Sequence, residues 1–395
     1  MIEYKTIREL CSIVVDCPHS TPKWTEDGKI VVRNNNIKNG RINLTAPSFT
    51  DDEHFRQRIK RAKPQSGDLI ITREAPIGEV GMIPANIECC LGQRMVLLRV
   101  DQSICDNFYL LYSLQSPYVK NQISWSEGTG TTVSNLRIPH LENIKIPYIP
   151  LELQKRVSSV LRVIEEKIFN NSKINENLER QAQAYFEELF VVNADPNWPE
   201  CTLSDIGSIV AGGTPSKSKS EYYADQGIAW ITPKDLSVDK SKFISHGEND
   251  ISELGFSKSS TKKMPAGTVL FSSRAPIGYI AIAQNELTTN QGFKSVIPNE
   301  NIGTSYVYFL LKNLLPTIEG MASGSTFKEI SGAGMKSVPT VMPDVNIIQL
   351  FNNFCEPIFK EQEILEAENR RLSALRDSLL PKLMSGEIDI SSLDI

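Results

Sequence analysis

The stretch Gly67-Asp-Leu-Ile-Ile-Thr-Arg-Glu-Ala-Pro-Ile-Gly78 occurs a second time, in similar form, as Gly267-Thr-Val-Leu-Phe-Ser-Ser-Arg-Ala-Pro-Ile-Gly278. Each copy has a turn glycine, a short apolar run typical of a β-strand, and then the tetrapeptide Ala-Pro-Ile-Gly. The two copies share their internal spacing and lie 200 residues apart. The sequence therefore predicts a duplicated domain.

Other matches follow in the same order along the chain. Leu91-Gly-Gln-Arg-Met95 resembles Thr289-Asn-Gln-Gly-Phe293, and Gly128-Thr-Gly-Thr-Thr132 resembles Ala322-Ser-Gly-Ser-Thr326. We expect two strand-rich α+β domains, called head 1 (residues 1–150) and head 2 (residues 196–343). Short apolar runs between turn residues predict strands, and apolar runs after the Gln-containing segments predict helices. The predicted strands are Gly67–Thr72, Met95–Val100, Gly267–Ser272 and Lys294–Pro298, and the predicted helices are Cys105–Gln115 and Ser305–Leu315.

Each head is followed by a long segment of different character, residues 151–195 and 344–395. Their apolar residues recur at three- and four-residue spacing, which predicts two long helices packed as an antiparallel coiled coil. Asn171 interrupts the first seam, either to fix the register or as a simple irregularity, and Pro357 either kinks the second helix or marks its start. The predicted seam residues are Val157, Ile164, Asn171, Leu178 and Tyr185, with Phe351, Ile358, Leu365, Leu372 and Leu379 opposite.

The order of head, long helix, head and long helix resembles the specificity subunit of type I restriction–modification systems. The resemblance covers essentially the whole chain. It includes Pro150-Leu-Glu-Leu-Gln154 at the start of the first helix, Leu379-Leu-Pro-Lys-Leu-Met-Ser-Gly-Glu387 at the end of the second, and the Ala-Pro-Ile-Gly turns. Two departures are Glu74, where head 2 has Arg274, and Pro343-Asp-Val-Asn-Ile-Ile-Gln349, a weaker helix entry than its counterpart.

This resemblance implies that each head reads one half of a bipartite double-stranded DNA target, and that the helices set the gap between the halves. It also implies two methyltransferase subunits docked on the helices, a motor-endonuclease subunit, and no catalytic role for this chain. Two alternatives are the recognition part of a combined restriction–methylation enzyme and a repeat scaffold that binds only proteins.

Motifs for catalysis, cofactors or metals are poor matches. Asp195-Pro-Asn-Trp198 has the wrong third residue for a methyltransferase motif, and Gly212-Gly-Thr-Pro-Ser-Lys-Ser218 lacks the glycine that a phosphate-binding loop needs before its Lys. An odd number of cysteines, seven, without a CxxC pair argues against zinc and against a disulfide framework. A polar start and the lack of an 18-residue apolar run predict a cytoplasmic protein that does not span a membrane.

The net charge of −5 gives no hint of nucleic acid until it is divided by segment. Head 1 carries +2 and head 2 carries 0, whereas the helical segments carry −2 and −5. The acidity therefore belongs to the helices, and basic side chains cluster within the heads.

Basic clusters suit phosphate contacts, which we favour over an ordinary solvated loop because the cluster recurs in both heads. Arg, Asn and Gln side chains suit base edges, although the Arg33–Asn36 stretch could equally be an Asn-rich turn. In head 1 the DNA-binding candidates are Arg33, Asn34, Asn35, Asn36, Arg56, Arg58, Lys60, Arg61, Lys63, Arg94, Thr129 and Thr131. In head 2 they are Lys217, Lys219, Thr232, Lys234, Lys258, Lys262, Lys263, Arg274, Gln291, Ser323 and Ser325.

Overall fold

A computed structural model describes residues 3–124, 135–324 and 328–388. The described residues divide into two compact units. The first unit runs to Ile168 and resumes at Arg371, and the second runs from Phe169 to Arg370. Each unit therefore contains one head together with part of both long helices.

Head 1 is built from small sheets and short helices. Its strands are β1 (Glu3–Thr6), β2 (Cys11–Asp16), β3 (Lys29–Val32), β4 (Ile37–Lys38), β5 (Arg41–Ile42), β6 (Ser48–Thr50), β7 (Leu69–Thr72), β8 (Val80–Met82), β9 (Cys89–Leu91), β10 (Met95–Val100) and β11 (Lys145–Tyr148). Its helices are α1 (Ile7–Leu10), α2 (Asp52–Arg58), α3 (Asn107–Gln115), α4 (Pro117–Ser124) and α5 (Ile138–Glu142). The first long helix is α6 (Leu151–Glu187), which continues as a π-helical turn over Glu188–Val192.

Head 2 repeats this plan. Its strands are β12 (Glu200–Thr202), β13 (Gly207–Ala211), β14 (Tyr223–Ala224), β15 (Ile228–Ile231), β16 (Phe243–Ile244), β17 (Asn249–Ile251), β18 (Val269–Ser273), β19 (Ile277–Ala283), β20 (Thr288–Thr289), β21 (Lys294–Pro298) and β22 (Pro339–Val341). Its helices are α7 (Leu203–Ile206), α8 (Pro233–Val238), α9 (Glu253–Ser257), α10 (Thr304–Asn313), α11 (Leu315–Met321) and α12 (Gly332–Lys336), and the second long helix is α13 (Val345–Met384).

The sheet topologies confirm the internal repeat. The strand order β2-β10-β7-β8 in head 1 corresponds to β13-β21-β18-β19 in head 2, where β16 adds a fifth strand. A second sheet, β6-β3-β9, corresponds to β17-β15-β20, and in both the last pair is parallel. In each head the first strand pairs with the last, β1 with β11 and β12 with β22. The predicted α+β class with two repeated heads is therefore confirmed.

The predicted elements differ from the observed ones mainly at their ends. The two glycine-led strands begin two residues late, at Leu69 and Val269, because each glycine has a positive φ and belongs to the turn. Helix α3 begins at Asn107 because the Asp106 side chain accepts a hydrogen bond from the Tyr109 amide and caps it. The predicted helix Ser305–Leu315 matches α10 apart from its first residue, but the helix ends at Asn313, and Leu315 begins α11.

The two long helices pack antiparallel within each unit. In the second unit Asn171 lies against Asn369, Gln362 donates to the Asn175 carbonyl, and Tyr185 packs on Phe354. In the first unit Val157 and Leu161 share a core with Leu380 and Leu383. Of the predicted seam residues, Val157, Ile164, Asn171, Phe351, Ile358 and Leu365 are buried, and Leu178, Tyr185, Leu372 and Leu379 are half-buried.

Two features of the seam were left open by the sequence. Helix α13 begins at Val345 and continues through Pro357, so the idea that Pro357 marks the start of the helix is wrong. Asn171 is 1% exposed, and its Nδ2 donates to Glu368 Oε2 at 2.7 Å and to Asn369 Oδ1 at 3.0 Å. These bonds cross from one helix to the other, which supports a role in fixing the register.

Candidate nucleic-acid interface

In head 1, three distant segments meet where strand β7 ends. The Arg73 amide donates to the Arg94 carbonyl at 2.8 Å, and the Leu136 amide donates to the Arg73 carbonyl at 3.0 Å. We call this meeting point the three-segment junction. The Ala-Pro-Ile-Gly turn leaves directly from it, with Ala75 at φ 49° and a cis bond to Pro76.

Head 2 has the same junction with different side chains. The Ser273 amide donates to the Gly292 carbonyl at 2.7 Å, and the Ile330 amide donates to the Ser273 carbonyl at 3.1 Å. Ala275 has φ 50° and a cis bond to Pro276. The backbone hydrogen bonds are therefore the same in both heads, whereas the side chains at the junction differ.

The turn Arg33–Asn36 lies beside the junction of head 1. The Asn36 side chain is buried, accepts from the Arg33 amide at 2.8 Å and donates to the Asn43 carbonyl at 2.9 Å. Asn34 donates to the Ala75 carbonyl at 2.7 Å, which ties the turn to the Ala-Pro-Ile-Gly loop. Asn35 is exposed, and its side chain makes no hydrogen bond among the described residues. Of these three amides, Asn35 is thus the best placed to reach a base edge.

An exposed aromatic residue, which sequence reasoning missed, completes this face. The Arg33 guanidinium lies 5.1 Å from the ring centroid of Trp24, and Trp24 is 45% exposed. The Gln93 side chain donates to the His19 carbonyl and to Thr21 Oγ1, which anchors the segment leading to Trp24. A single Trp forms no sequence motif, so only its position beside Arg33 in the structure identifies Trp24 as a candidate for DNA contact.

The matching turn in head 2 is Thr232–Asp235. Its Thr232 amide donates to Asp235 Oδ2 at 2.7 Å, the counterpart of the bond from Arg33 to Asn36. Lys234 pairs with Glu248 at 2.5 Å, and Thr214 Oγ1 donates to the Gln291 side chain. The structure therefore brings Lys234 and Thr232 onto one turn, and joins Gln291 to the segment that leads to Lys217 and Lys219. Both lysines are exposed, and Lys219 lies 5.3 Å from the Tyr222 ring centroid.

The basic cluster of head 1 separates into two kinds of residue. Arg56, Lys60 and Arg61 are exposed, and Lys63 is exposed but paired with Glu88 at 2.6 Å. Hydrogen bonds from Lys29 and Lys63 lower the pKa of Glu88 to about 2. Arg58 is 7% exposed and therefore does not share the surface position of its neighbours.

Arg58 holds three backbone segments together. Its guanidinium donates to the carbonyls of Leu91, Ser20 and Pro18 at 2.8, 3.0 and 3.1 Å. Burial also lowers its pKa below the ordinary arginine value. Because its donors are used inside the protein, we leave Arg58 out of the proposed DNA contacts.

The basic cluster of head 2 is looser. Lys258 and Lys262 are exposed, and Lys263 pairs with Glu286 at 3.2 Å. Ser323 exchanges two backbone hydrogen bonds with Glu329, at 3.1 and 2.9 Å. The candidates Thr129, Thr131 and Ser325 lie outside the described residues.

The family of the chain follows from comparison with known proteins. The model for the type I restriction modification DNA specificity domain matches residues 2–180 and, a second time, residues 196–371. The chain belongs to this family. The double match agrees with the two heads and assigns the start of each long helix to the domain that precedes it.

Relatives of this specificity-domain protein carry names from the same class. It is 37% identical over 190 residues to the MjaIX type I restriction enzyme specificity subunit of Methanocaldococcus jannaschii, which covers 46% of this chain and 44% of the relative. It is 31% identical over 194 residues to the HindI type I restriction enzyme specificity subunit of Haemophilus influenzae, covering 48% and 42%. These alignments thus span less than half of each relative.

A solved member of the class shares the fold. The crystal structure of a type I restriction–modification S subunit from M. genitalium superposes with a TM-score of 0.60 at 19% identity, covering 97% of this chain and 96% of that one. At this identity the likeness speaks for the fold alone.

Three further observations on the described residues of this specificity-domain protein concern metal ions, membranes and thiols. No group of three or more His, Cys, Asp or Glu side chains there is arranged to hold a metal ion. No described helix combines the length and apolar character needed to cross a lipid bilayer. All seven cysteines are free, and six are buried.

Proposed function

We propose that this chain is the DNA sequence-specificity subunit of a type I restriction–modification complex. Head 1 (residues 1–150) and head 2 (residues 196–343) each read one half of a bipartite double-stranded target. The helical segments 151–195 and 344–395 set the gap and dock two methyltransferase subunits, and a motor-endonuclease subunit completes the complex. The chain itself is non-catalytic, needs no cofactor and acts in the cytoplasm.

The observation that carries this proposal is the repeated junction with unlike side chains. Both heads place a turn, a Gln-containing segment and the Ala-Pro-Ile-Gly loop around the same backbone hydrogen bonds. Head 1 presents Asn35, Arg33 and Arg94 there, whereas head 2 presents Lys234, Gln291 and Arg274. Arg, Asn and Gln are the side chains that distinguish base edges in the major groove. Two similar scaffolds with different side chains are what two different half-sequences require.

Phosphate contacts have separate support. The exposed residues Arg56, Lys60 and Arg61 in head 1, and Lys258 and Lys262 in head 2, lie in equivalent regions of the two heads. Such contacts hold a protein on the duplex without reading its sequence. A weak dependence of binding on salt would therefore count against this part of the proposal.

The proposal is tested by binding in the assembled complex. The motif methylated in cells that carry this chain supplies the candidate target, and a mobility shift of the chain co-expressed with its methyltransferase then compares that duplex with a scrambled one. We expect the intact target to bind at least about 1,000-fold more tightly. Equal binding to the two duplexes would refute the proposal, and methyl transfer by the chain alone would favour a combined restriction–methylation enzyme.

A further inference from the structure

At the junction, the two heads carry opposite charges at the same backbone position. The residue that follows the β7 strand and Arg73 in head 1 is Glu74, and its counterpart after Ser273 in head 2 is Arg274. Each of these residues faces a partner of opposite charge from another segment of its own head. An ion pair is therefore present at both junctions, with the opposite charge after the strand and with the partner supplied by a different segment in each head.

In head 2 one carboxylate faces two cations. Glu329 Oε2 lies 3.4 Å from Arg274 Nη1, and Glu329 Oε1 lies 3.6 Å from Lys294 Nζ. Lys294 is fixed in place, because its side chain is 10% exposed and its Nζ donates to Ser273 Oγ and to the Gln291 carbonyl at 3.4 and 3.3 Å. Arg274 and Glu329 are more than one third exposed. Glu329 thus lies between the exposed guanidinium of Arg274 and the buried ammonium of Lys294, beside Gln291.

In head 1 Glu74 pairs with Arg94 of the Gln-containing segment, at 3.3 Å. Arg94 is 54% exposed, and Glu74 is held by the Asn135 amide, which donates to it at 2.7 Å. In head 1 the guanidinium is clearly the more exposed partner, whereas in head 2 Arg274 and Glu329 are about equally exposed. Each carboxylate also contacts a side chain of a second segment, Asn135 in head 1 and Lys294 in head 2.

We infer that these carboxylates, Glu329 in head 2 and Glu74 in head 1, are specificity-determining residues that occupy the exposed arginine until a matching DNA group replaces them. This inference rests on the proposed DNA-reading function. A half-exposed ion pair is weak, so a well-placed guanine edge or phosphate displaces the carboxylate at little cost. A poorly matched sequence meets an arginine that is already neutralised and a carboxylate that repels its phosphates. Discrimination therefore increases because non-specific binding is weakened.

The test compares Glu329→Gln with Glu300→Gln in the full chain assembled with its methyltransferase. Glu300 is an exposed carboxylate beyond the far end of β21 from Lys294, so the control removes the same charge away from the junction. The probes are the duplex with the methylated motif and its scrambled counterpart, measured over a range of salt concentrations.

For Glu329→Gln we expect binding of the scrambled duplex to tighten by about 3- to 10-fold, with a salt slope steeper by about 0.9, since one more cation meets phosphate. Binding of the intact target should change less, so the specificity ratio falls. The effect should vanish when Arg274→Gln is added, as in a double-mutant cycle. Glu74→Gln should reduce discrimination only at the half-site of head 1.

Two results would overturn the inference while leaving the proposed function intact. One is a Glu329→Gln complex that behaves like the Glu300→Gln control. The other is a loss of binding to both duplexes, which would make Glu329 a direct DNA contact or a structural residue. A wild-type complex that does not distinguish the two duplexes would overturn the proposed function and this inference together.

Discussion

Arg56 and Arg58 are two positions apart in α2, and a helix turns such residues toward different sides. Arg56 faces solvent, whereas Arg58 points inward and bonds three carbonyls of the surrounding loops. Both were DNA-binding candidates for the same reason, their place in a basic cluster. Their surroundings give them separate tasks, one at the surface and one in holding the fold.

Replacement of Arg58 by Ala should lower the free energy of unfolding by about 3 kcal/mol, because three buried carbonyls lose a charged donor. Replacement of Arg56 by Ala, the matched control, should change stability by less than about 0.5 kcal/mol. Urea unfolding measures both. In DNA binding the order should reverse, since Arg56→Ala should flatten the salt slope by about 0.9. A stable Arg58→Ala variant would contradict the structural role.

At single residues, the sequence predicted the position of the turn better than which of its side chains are free of hydrogen bonds. The Arg33–Asn36 stretch does form a turn beside the junction, but Asn36 and Asn34 are used to build it. Composition could not separate these amides from Asn35. Their backbone partners lie in segments that are distant in sequence, so the hydrogen bonds become visible only in the folded structure. Trp24 was missed for the same reason.

At the scale of elements, a buried charged cluster fastens head 2 to the long helices of its unit. Glu179 of α6 receives Lys242 at 2.5 Å and Lys312 at 2.6 Å, and the Tyr308 hydroxyl donates to it at 3.2 Å. Glu366 of α13 accepts the amide of Lys242 at 2.8 Å. Lys242 is 5% exposed at its side chain, so its charge depends on these carboxylates.

The two carboxylates of this cluster respond to pH in opposite directions. Burial alone would raise the pKa of Glu179, but the charges of Lys242 and Lys312 outweigh it and hold that pKa below its ordinary value. Burial raises the pKa of Glu366. The stability that Glu179 contributes is therefore complete above about pH 4.5 and is lost as pH falls toward its lowered pKa, whereas Glu366 opposes this trend.

Glu179→Gln should lower the free energy of unfolding by about 3 kcal/mol at pH 7, because it leaves Lys242 buried with less compensation. Glu176→Gln is the control, one helical turn earlier on the exposed pair with Lys173 and Arg180, and should cost less than about 1 kcal/mol. In urea titrations, the difference in free energy of unfolding between wild type and Glu179→Gln should narrow as the pH falls from about 4.5 to about 3. A gap that stays constant would show that the charge of Glu179 is not what matters.

Elements were more predictable than their contacts. The four predicted strands and both long helices are present in the structure. They could be predicted because the spacing of apolar residues, two in a strand and three to four in a helix, shows which face of the element is buried. The start of α13 was not predicted from the sequence, because Pro357 disfavours a helix interior. The helix nevertheless continues through Pro357, and its apolar face buries Phe351 and Ile358. The cluster around Glu179 joins four sequence regions, and no local sequence pattern predicts that they meet.

At the scale of the whole molecule, the two compact units do not follow the chain order. Each unit combines one head with parts of both long helices, so each is assembled from distant segments. The sequence predicted heads and helices as successive blocks, and those segment boundaries stay a prediction. The apolar seams of the two long helices pack against each other in both units, so each unit contains a part of each helix.

Removal of one matched heptad from both helices should change the accepted gap in the DNA target. Deletion of residues 168–174 and 367–373 removes about 10 Å of helix, at ~1.5 Å per residue, which corresponds to about three base pairs. The deleted residues lie between the Glu165–Arg376 pair and the Glu179 cluster, so both attachments are kept. We expect a methylome with the same half-sites and a shorter gap.

Deletion of only residues 168–174 is the control, because it puts the two seams out of register and should destabilise the protein. An unchanged gap in a stable double deletion would contradict the role of the helices in setting the gap.

The distribution of thiols has a practical consequence for spectroscopy. Burial raises the pKa of Cys11, Cys89 and Cys355 to about 12. Burial also raises the pKa of Cys201 on β12, but its side chain is only partly buried, whereas the other six cysteines are buried. A maleimide dye should therefore label Cys201 first and leave the folded cores untouched. The native chain thus carries its own attachment point for a fluorophore in head 2, and energy transfer to a dye on one DNA end would report which half-site that head occupies.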